Sequence, residues 1–225
     1  MIMSGKGKEI LDELRLVVTG KTLDALLPPL VFALTNGFWG LNRAVLVALS
    51  LSLLMGLRRL LLGQKVTYAL GGFLVVGLAS GLALITRNAS NYFVSSAITS
   101  GTLLTAALAS LLMGKPLAAW ASHLSRGWPL DWFWRKDVKP AYREVTLFWA
   151  AFFALRFSVQ LVLLRSGDAL RLAWANTLLG WPVTGTVLII SYVYGIWRLH
   201  NLGGPGVDEY QKGVHPPWRG QVRGF

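Results

Sequence analysis

Arg156 and Gln160 stand four residues apart inside a long apolar run, a spacing that puts both on one face of a helix. A guanidinium in such surroundings costs about 2.5 to 3.5 kcal/mol on insertion scales, so it must face the interior of a helix bundle and find polar company. No Asp or Glu lies deep in any apolar run; Asp24, Glu144 and Asp168 all sit near run ends. The available partners are amides and hydroxyls. Depth along the runs places Asn36, Ser95, Ser96, Thr99, Ser100, Asn176 and Thr177 at the level of Arg156 and Gln160. The candidate ligand-binding cluster is therefore Asn36, Ser96, Ser100, Arg156, Gln160 and Asn176, with a net positive charge. Such a cluster has two uses. It can form a pocket for an anionic or polar ligand such as a lipid head group, or a structural staple in which Arg156 donates to carbonyls freed near a kink and to the Asn and Gln side chains. A fixed positive charge argues against a cation channel.

Acid–base, nucleophilic and metal chemistry find few residues to work with. His123, His200 and His215 all fall in hydrophilic segments without ligand spacing, and the chain contains no cysteine. Disulfides and thiolate chemistry are thereby excluded. The expectation is a protein that is not an enzyme and uses no metal or cofactor.

The elements that must position the cluster follow from composition. Hydrophobic residues make up 54% of the 225 and charged residues only 14%, too apolar a balance for a soluble domain of this size. Apolar runs cover roughly 22–41, 44–62, 66–86, 92–113, 143–165 and 170–198, most of them near the ~20 residues that cross a bilayer. The gaps alternate in charge. Lys6, Lys8, Arg15 and Lys21 precede the first run; Arg58, Arg59 and Lys65 follow the second; Lys115, Arg126, Arg135, Lys136, Lys139 and Arg143 follow the fourth; Arg198, Lys212, Arg219 and Arg223 follow the last. The other gaps hold only Arg43, Arg87, Arg165 and Arg171. This bias predicts an all-α polytopic membrane protein, a bundle of six transmembrane helices with both termini cytoplasmic. Residues 1–21 show no apolar stretch followed by a small-residue cleavage site, and the first run is expected to act as its own signal anchor.

Around this 22–198 domain three segments have characters of their own. Residues 1–21 contain Ile10, Leu11, Leu14, Val17 and Val18 at helical spacing, which predicts an amphipathic surface helix. Pro28 and Pro29 predict a break in the first span. Glycines at 71, 72, 77, 81 and 101 predict close helix approach in the third and fourth spans. Between the fourth and fifth runs, residues 114–142 interleave Trp120, Trp128, Trp132 and Trp134 with basic residues such as Arg135 and Lys136, the composition of a membrane-interface or docking segment. The Gly- and Pro-rich stretch 199–225 is expected to be flexible. The net charge of +12 is spread over four segments and interrupted by Glu9, Asp12, Glu13, Asp131, Asp137 and Glu144. The expected partners are anionic lipid head groups and a protein in the membrane or a second copy of the chain, not nucleic acid.

The order of several further features carries a resemblance: Asn36 with Gly40 and Leu41; Tyr68 to Gly72; Arg87 with Tyr92 and Phe93; Lys115 and Pro116; Tyr142, Thr146, Trp149, Ala154 to Arg156 and Val159 to Leu161; then Gly180 to Pro182. Over about residues 29–199 the chain resembles a family of bacterial integral membrane proteins of unknown function, best known from actinobacteria and related to intracellular septation protein A. Arg156 and Gln160 look like the unknown-function family, whereas septation protein A itself is similar mainly in helix order and near Lys115 and Pro116. The resemblance implies an inner-membrane protein with a part in cell-envelope upkeep or division, acting through protein partners rather than by a known reaction, and the first reading is accordingly a non-enzymatic scaffold or accessory subunit in the envelope. The residues alone leave a second reading, a small transporter or lipid-handling protein using the Arg156 cluster.

Overall fold

A computed structural model describes residues 21–64, 66–221 and 224–225, so the amphipathic helix expected near the N-terminus lies outside the described residues. Within them the chain is helical, with no strand. The first three apolar runs become α1 (Lys21–Trp39), α2 (Leu41–Leu61) and α3 (Val66–Ile85), and the fourth becomes a 3-10 turn, Ala89–Phe93, leading into α4 (Val94–Leu112). Then come α5 (Leu117–Arg126), α6 (Leu130–Phe133), α7 (Lys139–Ser166), α8 (Ala169–Leu178), α9 (Trp181–Leu202) and α10 (Val207–Gln211). Four stretches among the described residues are long and apolar enough to cross a membrane: Leu41–Leu61, Ala89–Leu112, Lys139–Ser166 and Ala169–Leu202. Leu61, Ile85 and Leu112 are more than four-fifths exposed, as apolar side chains facing lipid are. This is the constitution of a membrane protein.

Three local expectations give way. The helix α1 runs unbroken through Pro28 and Pro29. Each proline forgoes one N–H bond yet has a φ that suits a helix, and Pro28 and Phe32 are buried against neighbouring helices, which holds the segment together. The last apolar run, by contrast, is divided at Leu179 and Gly180. A Cβ on Gly180 would fall 2.5 Å from the Asn176 carbonyl oxygen, and Pro182 lacks the N–H that would continue the ladder. Nor do the glycines of α3 mediate close packing: a Cβ at Gly71, Gly77 or Gly81 would meet nothing within 4 Å. The buried face of α3 is instead formed by Val76, Ala79, Ser80 and Ala83. Gly101 of α4 does serve as expected, with its absent Cβ 3.1 Å from the Phe157 ring.

The chain divides into two compact units. One comprises the residues up to Ser96 with Gln160–Trp181. Here α1 packs on α2 and α8, α2 on α3, and the 3-10 turn on α3 and α8. Phe32 stacks on Tyr92 at 4.1 Å, with Ala44, Ala48, Ala83 and Leu172 closing the core.

The second unit comprises Ala97–Val159 and Pro182–Phe225. Its helices α7 and α9 are tied by polar side chains that lie far apart in sequence. Arg198 donates to both carboxylate oxygens of Glu144, at 2.8 and 3.0 Å, and the Tyr194 hydroxyl donates to the same group at 2.7 Å. Further along, the Trp149 indole N–H donates to the Ser191 hydroxyl at 3.2 Å. Residues 114–142, expected as an interfacial loop, fold into α5 and α6 and share a core with the start of α7, Leu199 and Val207.

Candidate functional site

Of the six residues in the candidate cluster, the structure joins Gln160 and Asn176 directly. Gln160 comes from the last part of α7 and Asn176 from α8, and the Gln160 Nε2 donates to Asn176 Oδ1 at 2.6 Å. Gln160 is only 1% exposed. One leg of the amide pair is made, but Gln160 Oε1 and Asn176 Nδ2 have no partner among the described residues. An acceptor and a donor thus stand side by side in an apolar setting, where an unmade hydrogen bond is costly.

The remaining four are placed differently. Ser96 donates to the Phe93 carbonyl at 2.7 Å, the local bond that serine makes to its own helix. Asn36 is half-buried near the end of α1, where its carbonyl accepts from the Gly40 N–H. Ser100 and Arg156 belong to the second unit, Ser100 fully buried and Arg156 half-buried with its Nε lacking a hydrogen-bond partner. Chemically, Gln160 with Asn176 in the first unit can hold a polar group by hydrogen bonds, and Arg156 in the second unit can by itself hold an anionic one. No three His, Asp or Glu side chains cluster as metal ligands among the described residues.

The aromatic residues read as a docking face require a correction. Trp132 is 0% exposed, so it cannot present itself to a partner. Its indole N–H donates to the Pro205 carbonyl at 2.9 Å. Its ring meets Phe133 at 5.0 Å, Trp128 at 5.6 Å and Tyr142 at 6.0 Å, all edge-on, an arrangement aromatic quadrupoles favour. Trp120, Trp128 and Trp134 are half-buried around this core. Arg135 is chelated by Asp137 at 2.9 and 2.7 Å, and its guanidinium lies over the rings of Trp218 and Tyr210, 5.3 and 5.8 Å from their centroids. Of the basic pair, only Lys136 remains exposed.

The stretch read as a flexible tail completes this platform. Gly204 to Val207 are buried, and Phe225 stacks on Tyr142 at 4.3 Å. Composition could not reveal this, because the apolar core it covers is supplied by other segments. Glu209 organises the turn: its carboxylate accepts the N–H groups of Gly206, Arg219 and Gly220 at 2.8, 2.8 and 3.2 Å. These bonds, led by that from Arg219, hold its pKa below the ordinary carboxylate value. A folded-state pKa below the unfolded one stabilises the segment above about pH 4.3, and the contribution is lost as pH falls through the folded value. Glu209→Gln is accordingly expected to speed tryptic cleavage after Lys212 and Arg219 at neutral pH. Wild type should lose amide protection at Gly206 and Gly220 only on acidification, as hydrogen–deuterium exchange corrected for intrinsic rates would report. Unchanged cleavage in the variant would remove Glu209 from this role.

Comparison with known proteins adds one relationship. No curated protein and no solved structure matches the chain. A family match covers residues 19–198, which include α1 through α8 and most of α9. The chain belongs to the family described as Protein of unknown function (DUF3159).

Proposed function

We propose that this protein is a non-enzymatic scaffold or accessory subunit of a bacterial inner membrane, crossing it six times with both termini cytoplasmic. The single observation that carries this reading is the platform built from α5, α6, residues 203–221 and Phe225 around Trp132. A chain that needed only a membrane anchor would have no use for a closed aromatic core at the ends of its apolar helices. A core of this kind gives a partner protein a rigid surface, which lowers the ordering cost of binding. The resemblance to a family related to intracellular septation protein A makes envelope upkeep or division the setting of this reading. Anionic lipid and a protein partner, or a second copy of the chain, are the ligands this reading calls for, with no nucleic acid.

A second reading is favoured by the unpartnered polar atoms of Arg156, Gln160 and Asn176. On it, the protein handles a polar or lipid ligand within the membrane. Native mass spectrometry after gentle extraction separates the two. The scaffold reading expects a protein partner that is lost when the exposed Asp131 and Lys136 are exchanged for Lys and Glu, and that survives Arg156→Leu. The ligand reading expects a small adduct lost only with Arg156→Leu. A chain that emerges alone in all three forms would overturn both.

A further inference from the structure

Three cations gather at the turn between α4 and α5. Lys115 follows Gly114 in that turn and is exposed. The Lys139 ammonium lies 3.4 Å from where a Cβ of Gly114 would stand, and Gly114 has a φ of +67° that suits glycine. Arg143, one turn along α7 from Lys139, is exposed. The neighbouring carboxylates are engaged elsewhere, Asp137 by Arg135 and Glu144 by Arg198. No ion pair forms to Lys115, Lys139 or Arg143 among the described residues.

The surroundings say what these charges would take. The first amides of α5 already have acceptors, Leu117 N–H on Ser110 Oγ at 2.9 Å and Ala118 N–H on Thr146 Oγ1 at 3.1 Å. An anion here must therefore be held by the side-chain cations. Immediately before them, at the end of a span-length apolar helix, Leu112 is 89% and Met113 73% exposed. Cationic groups bordering exposed apolar surface match a molecule that is anionic at one end and hydrocarbon at the other.

We propose that the edge formed by Lys115, Lys139 and Arg143 is a binding site for an anionic phospholipid. Its phosphate lies among the three cations and its acyl chains lie against Leu112 and Met113. This assignment rests on the bilayer placement proposed above and gives its lipid contact a location. It treats these cations as more than topogenic charge: their loss removes a preference for one lipid, which loss of other exposed cations does not.

The test uses the full chain. Membranes are fractionated first; the purified protein is then equilibrated with phosphatidylglycerol and phosphatidylcholine in equal amounts, and retained lipid is read by native mass spectrometry. The wild type is expected to retain phosphatidylglycerol selectively. In the triple variant Lys115→Gln, Lys139→Gln, Arg143→Gln that selectivity should fall by about tenfold or more. The charge-matched control Arg165→Gln, Lys212→Gln, Arg219→Gln, all exposed, should stay within about twofold of wild type. The charge-preserving variant Lys115→Arg, Lys139→Arg, Arg143→Lys should keep the selectivity, which excludes misfolding as the cause of the loss. Equal loss in the target and control triples, or no selectivity in the wild type, would overturn the site alone. A wild-type chain recovered outside the membrane fraction would overturn the bilayer placement and the site with it.

Discussion

Trp132→Ala is expected to destabilise the α5–α6 platform by about 3 to 5 kcal/mol, the usual cost of emptying a fully buried large aromatic position. The indole is 0% exposed, contacts three other rings, and makes the one hydrogen bond from α6 to the Pro205 carbonyl that an indole N–H can make. Removing it leaves a cavity under residues 204–207 and a buried carbonyl without its donor. Trp132→Phe separates the two contributions, since it keeps an aromatic ring and loses the N–H; about 1 to 3 kcal/mol is expected for the orphaned carbonyl. Denaturant titration in detergent gives the stabilities, and tryptic cleavage after Lys212 and Arg219 reports the state of the segment. Cleavage should be fastest in the alanine variant, intermediate in the phenylalanine variant and slowest in wild type. An alanine variant as protected as wild type would show that the segment is held by something other than this core.

The same residue shows where reading the sequence stops. Helix positions come from local apolar periodicity, and the runs at 44–62 and 143–165 correspond closely to α2 and α7. The companions of Trp132 do not, because Pro205 is 73 residues away and lies in a stretch whose Gly and Pro content signals disorder by composition alone. Glu144 and Arg198, 54 residues apart, each look like ordinary charge near a run end until the fold puts them in contact. Proline and glycine mislead in opposite directions. Pro28 and Pro29 are absorbed because tertiary burial outweighs the loss of two backbone bonds, whereas Gly180 ends a helix that apolar periodicity would carry straight through. For the candidate cluster, spacing along one helix finds Gln160, and depth finds Asn176. Neither can tell that these two amides meet at 2.6 Å.

That pair supports the second prediction. Gln160→Leu and Asn176→Leu each leave the opposite amide buried without its partner, at a cost of about 1 to 3 kcal/mol. The double variant removes both amides and fills the space with hydrocarbon, so its stability should return to about that of wild type or exceed it. With each single change costing about 1 to 3 kcal/mol and the double change about none, the coupling in the double-mutant cycle should be about 2 kcal/mol or more, above the average of about 0.6 kcal/mol for side-chain hydrogen bonds in membrane helices. The outcome bears on function because the pair is incompletely satisfied: Gln160 Oε1 and Asn176 Nδ2 each retain an unmade bond. A buried polar pair that leucine can replace at no loss of stability is not kept for stability alone. If the double variant is as stable as wild type yet no longer retains a polar adduct in native mass spectrometry, the two amides serve a ligand. If stability returns and the bound species are unchanged, they serve the packing of α7 on α8. If the double variant is less stable than either single one, the pair is not a simple two-body contact, and further groups in the unit must depend on it.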